Sequence, residues 1–219
     1  MSQQDLFDFG LDTNSSSFRV FQATGENVRF YESFFNPNES DDLFRRVDGE
    51  VDWQQEQITL YGKTHDLPRE TAWYGDANKT YTYSGIEVKS MPWIPSLIEI
   101  KERIETEYDF IFNSVLLNKY RDGSDHVSWH SDDEPELGVN PVIASVSLGG
   151  ERLFKLKHKS HKEHKANNIQ KDLYSIDVRL NHGSLLIMQG DTQEKWIHNI
   201  PKTTKFVAPR INLTFRLIL

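Results

Sequence analysis

The sequence predicts a mainly β fold of the α+β class, in which helices precede a β-sandwich or jelly roll. After Tyr108, about eight short apolar or alternating runs follow one another, separated by turns such as RDGSD, LGGE and LNHG. No helical pattern lies between these runs, which is typical of antiparallel all-β architectures. We therefore expect one domain over 18–219, with helices and recognition elements in 18–108 and a β core in 109–219.

Two stretches before the β core predict helices. The sequence SDDLFRRV predicts a short helix capped by Ser40. The sequence SLIEIKERIETEY predicts a longer helix, because Ser96 and Glu99 have the spacing of a capping box and apolar residues recur at helical intervals behind them.

Composition restricts the kinds of site that the chain can build. The 219 residues include no cysteine, which excludes disulfides and thiolate metal sites. A metal must therefore be held by histidines and carboxylates, a ligand set that favours iron or manganese. We expect no membrane segment, since no apolar run approaches the roughly 18 residues needed to cross a bilayer.

Charge is distributed unevenly along the chain. The net charge is −8, and residues 1–50 hold ten acidic side chains against four basic ones. In contrast, residues 152–171 hold one arginine and six lysines against Glu163 alone. Such a basic segment attracts phosphate groups, although a solvated charged loop is the alternative interpretation.

A candidate metal site begins in the sequence VSWHSDDEPE. If this stretch is extended, His130 and Asp132 point to the same face at the end of a strand. The facial triad of iron(II) oxygenases needs one more histidine, and His198 in KWIHNIP is the candidate. Four other histidines compete for this role, three of them in the basic segment and one in a turn: His158, His161, His164 and His182. A histidine beside an acidic surface turn is the alternative interpretation.

The last strand predicts an anion site. In APRINLTFRLIL, four polar side chains alternate with apolar ones and therefore share one face of the strand: Arg210, Asn212, Thr214 and Arg216. Arginine binds carboxylates through two charge-assisted hydrogen bonds, so a dicarboxylate satisfies both arginines. The alternative is an exposed edge strand with a charged outer face.

These motifs resemble the AlkB-type iron(II)- and 2-oxoglutarate-dependent dioxygenases. NKYRDGSDHVSWHSDDE matches the N-x-Y and H-x-D block of that family, PRINLTFR matches its R-x-N-x-T-x-R block, and HGSL lies at 182–185. The resemblance extends from about Gln54 to Leu219 and is closest to the branch that repairs alkylated double-stranded DNA. It implies a double-stranded β-helix, the jelly roll of this family, with a substrate-binding hairpin added to it.

The resemblance also implies the roles of individual residues. Iron(II) is assigned to His130, Asp132 and His198. The cosubstrate 2-oxoglutarate is assigned to Asn118, Tyr120, Arg210, Asn212 and Arg216. Glu134 corresponds to the carboxylate that lies at the flipped base. The implied activity is oxidative demethylation of 1-methyladenine and 3-methylcytosine in DNA, with release of formaldehyde, succinate and carbon dioxide.

The substrate elements are assigned in the same way. ITLYGKTHDLPR resembles the hairpin of the duplex-repair branch, with Leu60 and Tyr61 at the tip before Gly62 as the wedge that replaces an extruded base. KTYTYSG supplies Tyr81, Tyr83 and Ser84 as the wall of the base pocket. Phosphate contacts are expected from a basic set: Arg152, Lys155, Lys157, Lys159, Lys202 and Lys205.

The first seventeen residues are polar and serine-rich, and we expect them to form a disordered tail. Within them, QQDLF resembles the short peptide by which bacterial repair and replication proteins bind the sliding clamp, with Gln3, Leu6 and Phe7 as the contacts. We expect a monomeric bacterial cytoplasmic protein that acts at the nucleoid.

Two other classes are compatible with the sequence alone. One is an oxygenase acting on RNA, a protein side chain or a small molecule, for which a duplex wedge has no purpose. The other is a nonenzymatic jelly-roll binding protein, for which an intact triad and both arginines have no purpose.

Overall fold

The computed structural model describes residues 18–60, 62–77, 80–83 and 86–219, and two antiparallel sheets dominate it. The larger sheet has seven strands. In chain order they are β1 (Arg19–Phe21), β2 (Gly25–Tyr31), β5 (Glu70–Gly75), β8 (Ser114–Tyr120), β10 (Ile143–Gly149), β13 (Ser184–Met188) and β15 (Arg210–Arg216). Their spatial order is β1-β2-β13-β10-β15-β8-β5, which places β15 between β10 and β8.

The smaller sheet has four strands. They are β9 (Val127–His130), β11 (Arg152–His158), β12 (Ser175–Leu180) and β14 (Trp196–Ile200), in the spatial order β12-β11-β14-β9. Two hairpins stand apart from both sheets, one formed by β3 (Gln57–Leu60) and β4 (Lys63–Asp66), the other by β6 (Thr80–Tyr83) and β7 (Ile86–Lys89). The predicted mainly β jelly roll is confirmed.

Two long helices precede the β core. Both were predicted, but the first is longer than the expected short helix, and the capping of both differs from the prediction. Helix α1 (Pro37–Glu50) is capped by Asn36, whose side chain accepts a hydrogen bond from the backbone N–H of Glu39. A proline at the first helical position, with its φ already helical, explains why the helix starts before Ser40. The Oγ of Ser40 instead donates to the carbonyl of Phe35.

Helix α2 (Pro95–Tyr108) also begins with proline at its first position. Its N-cap is Ile94, which makes no side-chain cap hydrogen bond, so the predicted capping box of Ser96 and Glu99 is wrong. Ser96 lies one position inside the helix and is fully buried.

Two short helices interrupt the β core, contrary to the prediction of strands alone. Helix α3 (His161–Ala166) follows β11, and helix α4 (Thr192–Lys195) connects β13 to β14. Each is too short to show a helical period in the sequence.

Apolar side chains fill two layers. One layer lies between the long helices and the seven-stranded sheet, where α1 packs on β10. The other lies between the two sheets and includes side chains such as Phe30, Ile143, Phe154 and Leu156. The polar face of β15 points into this second layer, so the candidate site lies between the sheets. Within the described residues, no helix is long and apolar enough to span a membrane.

Candidate metal and cosubstrate centre

Two neighbouring strands bring the predicted metal ligands together. β9 and β14 pair antiparallel with His130 directly opposite His198, and their ring centroids are 4.3 Å apart. Asp132 follows β9 by two positions, and one ligand atom from each of the three residues lies within 4.8 Å of the others. The arrangement is the two-histidine, one-carboxylate face that suits iron(II).

Burial and neighbouring charges hold Asp132 and His198 in their metal-binding protonation states. Burial alone raises the pKa of Asp132, but the charges of Arg216, His198 and His130 oppose it and lower that pKa to about 2. Arg216 forms an ion pair with Asp132, in which Nη2 lies 2.9 Å from Oδ1. This pair connects β15 of the larger sheet to the segment that follows β9. Burial and the neighbouring His130 lower the pKa of His198 to about 3, so its imidazole is neutral at physiological pH.

Hydrogen bonds orient the first two ligands. His130 Nδ1 donates to the carbonyl of Ser128 at 2.8 Å, which leaves Nε2 as the ligand atom, 3.7 Å from Asp132 Oδ1. The backbone N–H of Asp132 donates to Gln193 Oε1 at 2.9 Å. The role of Gln193 was not predicted from the sequence, because its only signal there is its position five residues before His198.

The third ligand candidate, His198, has a buried ring nitrogen that no described residue binds. His198 Nδ1 is buried and has no hydrogen-bond partner in the part of the chain that the structure describes. A buried imidazole nitrogen without a partner is costly unless something binds it. The site therefore fits a metal ion that takes His and carboxylate ligands.

The polar face of β15 forms the second half of the centre. Arg210 is fully buried, and its Nη2 donates to Ser147 Oγ at 2.8 Å. Its Nε and Nη1 have no partner among the described residues. Burial lowers the pKa of Arg210 to about 10, which still leaves the guanidinium protonated at neutral pH. A buried, protonated arginine with two unused donors fits an anionic ligand such as a carboxylate.

A small cavity lies between the triad and the part of the polar face of β15 that carries Asn212, Thr214 and Arg216. It has a volume of about 50 Å³ and is lined by all three metal-ligand candidates and by Asn118, Tyr120, Asn212 and Arg216. Asn118 Oδ1 accepts a hydrogen bond of 2.6 Å from Arg69 Nε, so Arg69, which the sequence analysis missed, orients one of the predicted cosubstrate residues. The Arg210 guanidinium lies over the Tyr120 ring at 5.2 Å.

Comparison with known proteins identifies the family. The profile of the 2OG-Fe(II) oxygenase superfamily matches residues 27–216. DNA oxidative demethylase ALKBH2 of Homo sapiens is 39% identical over 206 residues, which cover 93% of this chain and 77% of the human protein. The chain belongs to the 2OG-Fe(II) oxygenase superfamily.

Further comparisons place the chain among the AlkB-type members. The alpha-ketoglutarate-dependent dioxygenase alkB homolog 3 of Mus musculus is 42% identical over 192 residues, which cover 87% of this chain and 66% of the mouse protein. The solved structure of OsALKBH1 superposes with a TM-score of 0.62 at 16% identity, over 92% of this chain and 100% of that one, and so shows the same fold. The predicted AlkB-type family and its cofactors, iron(II) and 2-oxoglutarate, are confirmed.

A groove leads from the metal site of this AlkB-type oxygenase to the surface. Its volume is about 540 Å³, and its lining includes His130, Trp129, Glu134, Lys202 and the β3–β4 hairpin. Glu134 Oε2 is buried and has no hydrogen-bond partner within the described residues. The groove and the small cavity share Val127 and His130 in their linings, so they adjoin at the metal site.

Several predicted substrate residues lie next to the gaps in the described part of the chain or outside it. Leu60 ends β3, and Gly62 follows in the turn with a φ of +75°, a conformation that glycine adopts without strain. Tyr81 and Tyr83 lie on β6. Tyr61, Ser84 and the tail residues Gln3, Leu6 and Phe7 lie outside the described residues, so their assignments stay predictions.

The prediction that Arg152 contacts phosphate is wrong. Arg152 is only 2% exposed, and its guanidinium donates to the backbone carbonyls of Asp122, Asp125 and Pro201. It starts β11 with the same inward orientation as Phe154 and Leu156, which the alternation in RLFKLKH already indicates. Arg152 therefore ties loops together inside the protein.

The lysines Lys155, Lys157 and Lys159 are at the surface, on β11 and its continuation, and not in the solvated loop of the alternative interpretation. Lys155 Nζ lies 3.5 Å from Asp177, and Lys159 Nζ lies 3.6 Å from Asp133 and donates to the carbonyl of Gln193. Lys202 and Lys205 are exposed in the segment that follows β14.

The competing histidines are engaged elsewhere. His182 Nδ1 accepts a hydrogen bond from the backbone N–H of Gly149, which fixes a turn as expected. His158 Nδ1 accepts from the N–H of Ser160, and the rings of His158 and His164 lie 4.8 Å apart. Among the described residues, only His130, Asp132 and His198 form a group of three with metal-binding geometry.

Proposed function

We propose that this AlkB-type oxygenase is a DNA oxidative demethylase that removes methyl groups from ring nitrogens of bases such as 1-methyladenine and 3-methylcytosine. The name of its human relative, DNA oxidative demethylase ALKBH2, supports the reaction and the substrate class. The observation that carries the proposal is the cavity that the triad shares with Asn118, Tyr120, Asn212 and Arg216, next to a groove that also includes His130.

His130, Asp132 and His198 would hold iron(II), and Arg210 would hold the distal carboxylate of 2-oxoglutarate. When bound, this pair supplies the oxidising chemistry by which one O₂ converts the N-methyl group to N-hydroxymethyl and 2-oxoglutarate to succinate and carbon dioxide, after which formaldehyde leaves. Asp132 remains ionised throughout the physiological range because the charge of Arg216 depresses its pKa.

Glu134 would select the base. Both proposed substrates carry a positive charge and an exocyclic amino group when methylated, and a carboxylate at the groove wall accepts a hydrogen bond from that amino group. The buried Oε2 of Glu134, which lines the groove, is the acceptor that we assign to this contact. A methylated base pairs poorly, so extruding it costs less than extruding a sound base.

The activity is tested with purified protein, iron(II), 2-oxoglutarate and oligonucleotides that carry one methylated base. We expect equimolar formaldehyde and succinate from methylated DNA and neither product from Asp132→Asn. Two further reactions serve for comparison, one with methylated RNA and one with 2-oxoglutarate but no nucleic acid. Succinate release without formaldehyde from any DNA would reject the demethylase assignment.

The proposed preferred substrate is duplex DNA, on the basis of the resemblance of the β3–β4 hairpin to that of the duplex-repair branch. Tyr61→Ala is then expected to reduce turnover on duplex substrate more than on single-stranded substrate, because only the duplex has a vacated stack to fill. Thr59→Ala, an exposed change on the same hairpin, is the control. Equal losses on both substrates would contradict a wedge.

We also propose that residues 3–7 bind a bacterial sliding clamp, in a monomeric enzyme that acts at the nucleoid. The support is the resemblance of QQDLF to clamp-binding peptides. The test is titration of purified clamp with the intact protein and with a Leu6→Ala, Phe7→Ala variant, where micromolar binding by the intact protein alone is expected. Equal binding by both proteins, or none by either, would end this proposal and leave the demethylase assignment intact.

A further inference from the structure

An exposed tryptophan lies at the mouth of the groove, next to the metal site in the sequence. Trp129 is 39% exposed, whereas Trp73 and Trp196 are buried and Trp53 and Trp93 are partly buried. It directly precedes His130 on β9, which is the edge strand of the four-stranded sheet. Exposing part of so large an aromatic ring is unfavourable for an isolated protein, and such surfaces frequently bind ligands.

A lysine ammonium covers part of this indole. Lys157 Nζ lies 3.9 Å from the centroid of the Trp129 ring, a short cation–π contact. Lys157 is on β11, so its side chain reaches across β14 to the edge strand. The ring is therefore placed between a fixed positive charge and the groove that it also lines.

Lys157 differs from the lysines on either side of it. Lys155 lies beside Asp177, and Lys159 lies beside Asp133. No carboxylate in the described part of the chain lies within 4.0 Å of Lys157 Nζ. The ammonium beside the tryptophan therefore has no carboxylate partner among the described residues, and it suits a phosphate group.

We propose that Trp129 and Lys157 form a nucleotide-binding platform for the unpaired neighbour of the extruded base, with the neighbouring base stacked on the indole and its phosphate paired with the ammonium. This inference rests on the proposed action on nucleic acid and specifies a second subsite beside the groove. The stacked partner is an unpaired nucleotide, because a neighbouring base inside a duplex is already stacked and paired. The platform therefore contributes mainly to the binding of single strands.

The experiment measures binding of short oligonucleotides to the protein loaded with Mn(II), without 2-oxoglutarate so that no turnover occurs. Intrinsic tryptophan emission is followed as single-stranded or duplex oligonucleotide is added. The variants are Trp129→Ala, Trp129→Phe and Lys157→Met. The matched control is Trp53→Phe, since Trp53 also carries a lysine ammonium, that of Lys119 at 5.5 Å, but does not line the groove.

Single strands are expected to quench the emission of the unmodified protein and of Trp53→Phe, but not that of Trp129→Phe. Trp129→Ala is expected to weaken single-strand binding by roughly five- to a hundredfold, the range that follows from removing one base–aromatic stack, and to weaken duplex binding much less. Trp129→Phe retains most of the affinity because it keeps an aromatic face. Lys157→Met is expected to reduce the salt dependence of binding by about one phosphate contact.

Retained quenching in Trp129→Phe, or single-strand affinity in Trp129→Ala equal to that of the unmodified protein, would overturn the platform. Equal losses on single strands and duplex would overturn its assignment to an unpaired nucleotide. The Mn(II) affinity of each variant shows whether the neighbouring His130 is disturbed. If Trp129→Ala does not fold, the quenching measured with Trp129→Phe decides the outcome. Formaldehyde release by the unmodified protein tests the demethylase proposal separately, so failure of either proposal is recognisable.

Discussion

Asp132 is both a metal-ligand candidate and the carboxylate partner of a buried arginine. It is 4% exposed and lies 2.9 Å from Arg216 Nη2. Asp132→Ala is therefore expected to abolish turnover and also to lower the free energy of unfolding by about 3–5 kcal/mol, because it leaves the Arg216 charge without its carboxylate. Urea unfolding of the metal-free protein measures the second effect, and undiminished succinate release would contradict the first.

Arg210 is the residue on which cosubstrate binding is expected to depend most. Its replacement by methionine keeps the apolar stem and removes two donors that have no partner in the described residues. We expect 2-oxoglutarate affinity to fall by about 1.5–3 kcal/mol, the contribution of a hydrogen bond to a charged group. Calorimetric titration measures it, with the exposed Arg179→Met as control, and an unchanged dissociation constant would show that another group holds the distal carboxylate.

Alternation along a strand was sufficient to predict the inward face of β15, because its polar and apolar residues occupy strictly alternate positions. The same reasoning applied to β11 would have placed Arg152 inside with Phe154. Counting charges over the segment concealed that pattern, because net charge carries no information on orientation. Gln193 and Arg69 could not be predicted, since their contacts join residues that are distant in the sequence.

Helix α4 supports the metal site although it is only four residues long. Its Gln193 is 2% exposed and accepts the N–H of Asp132, and its Nε2 lies 3.6 Å from Met188 Sδ. Gln193→Met removes the acceptor at nearly constant volume, and we expect metal affinity to fall by about 10- to 100-fold, as for other outer partners of metal ligands.

The comparison for this prediction is Glu194→Met, because Glu194 lies next to Gln193 on the same helix but is exposed. Mn(II) or Co(II) titration of both variants measures the dissociation constants. Equal affinities in the two variants would show that the position of Asp132 does not depend on Gln193.

The strands and long helices were largely predictable, whereas their ends and the short helices were not. Short apolar or alternating runs mark the strands of the β core locally. The N-termini of α1 and α2 depend on prolines at the first helical position, which competed with the serines that the capping patterns favoured. The position of α4 depends on contacts such as that of Gln193 with Asp132, which is distant in the sequence and which local patterns do not encode.

At the scale of the whole molecule, the proposed cosubstrate would connect the two sheets. Arg210 and Arg216 belong to the seven-stranded sheet, and His130 and His198 to the four-stranded sheet. We expect 2-oxoglutarate at about a hundred times its dissociation constant to raise the melting temperature of the Mn(II)-loaded protein by roughly 5–10 °C. The rise is expected to be smaller without metal and in Arg210→Met. Thermal scans of these three samples, each with and without 2-oxoglutarate, measure it. An equal rise in all of them would show that the ligand binds elsewhere.

In the larger sheet, the first strand of the described chain and the strand that follows the groove hairpin lie at opposite edges. β1 forms one edge of the sheet and β5 the other, six strand spacings or about 29 Å away. Residues 1–17 join the fold at the β1 edge, whereas the hairpin that lines the groove precedes β5 directly. The partner proposed for residues 3–7 would therefore act as a tether that attaches beside the β1 edge, and it would raise the local concentration of the enzyme along DNA.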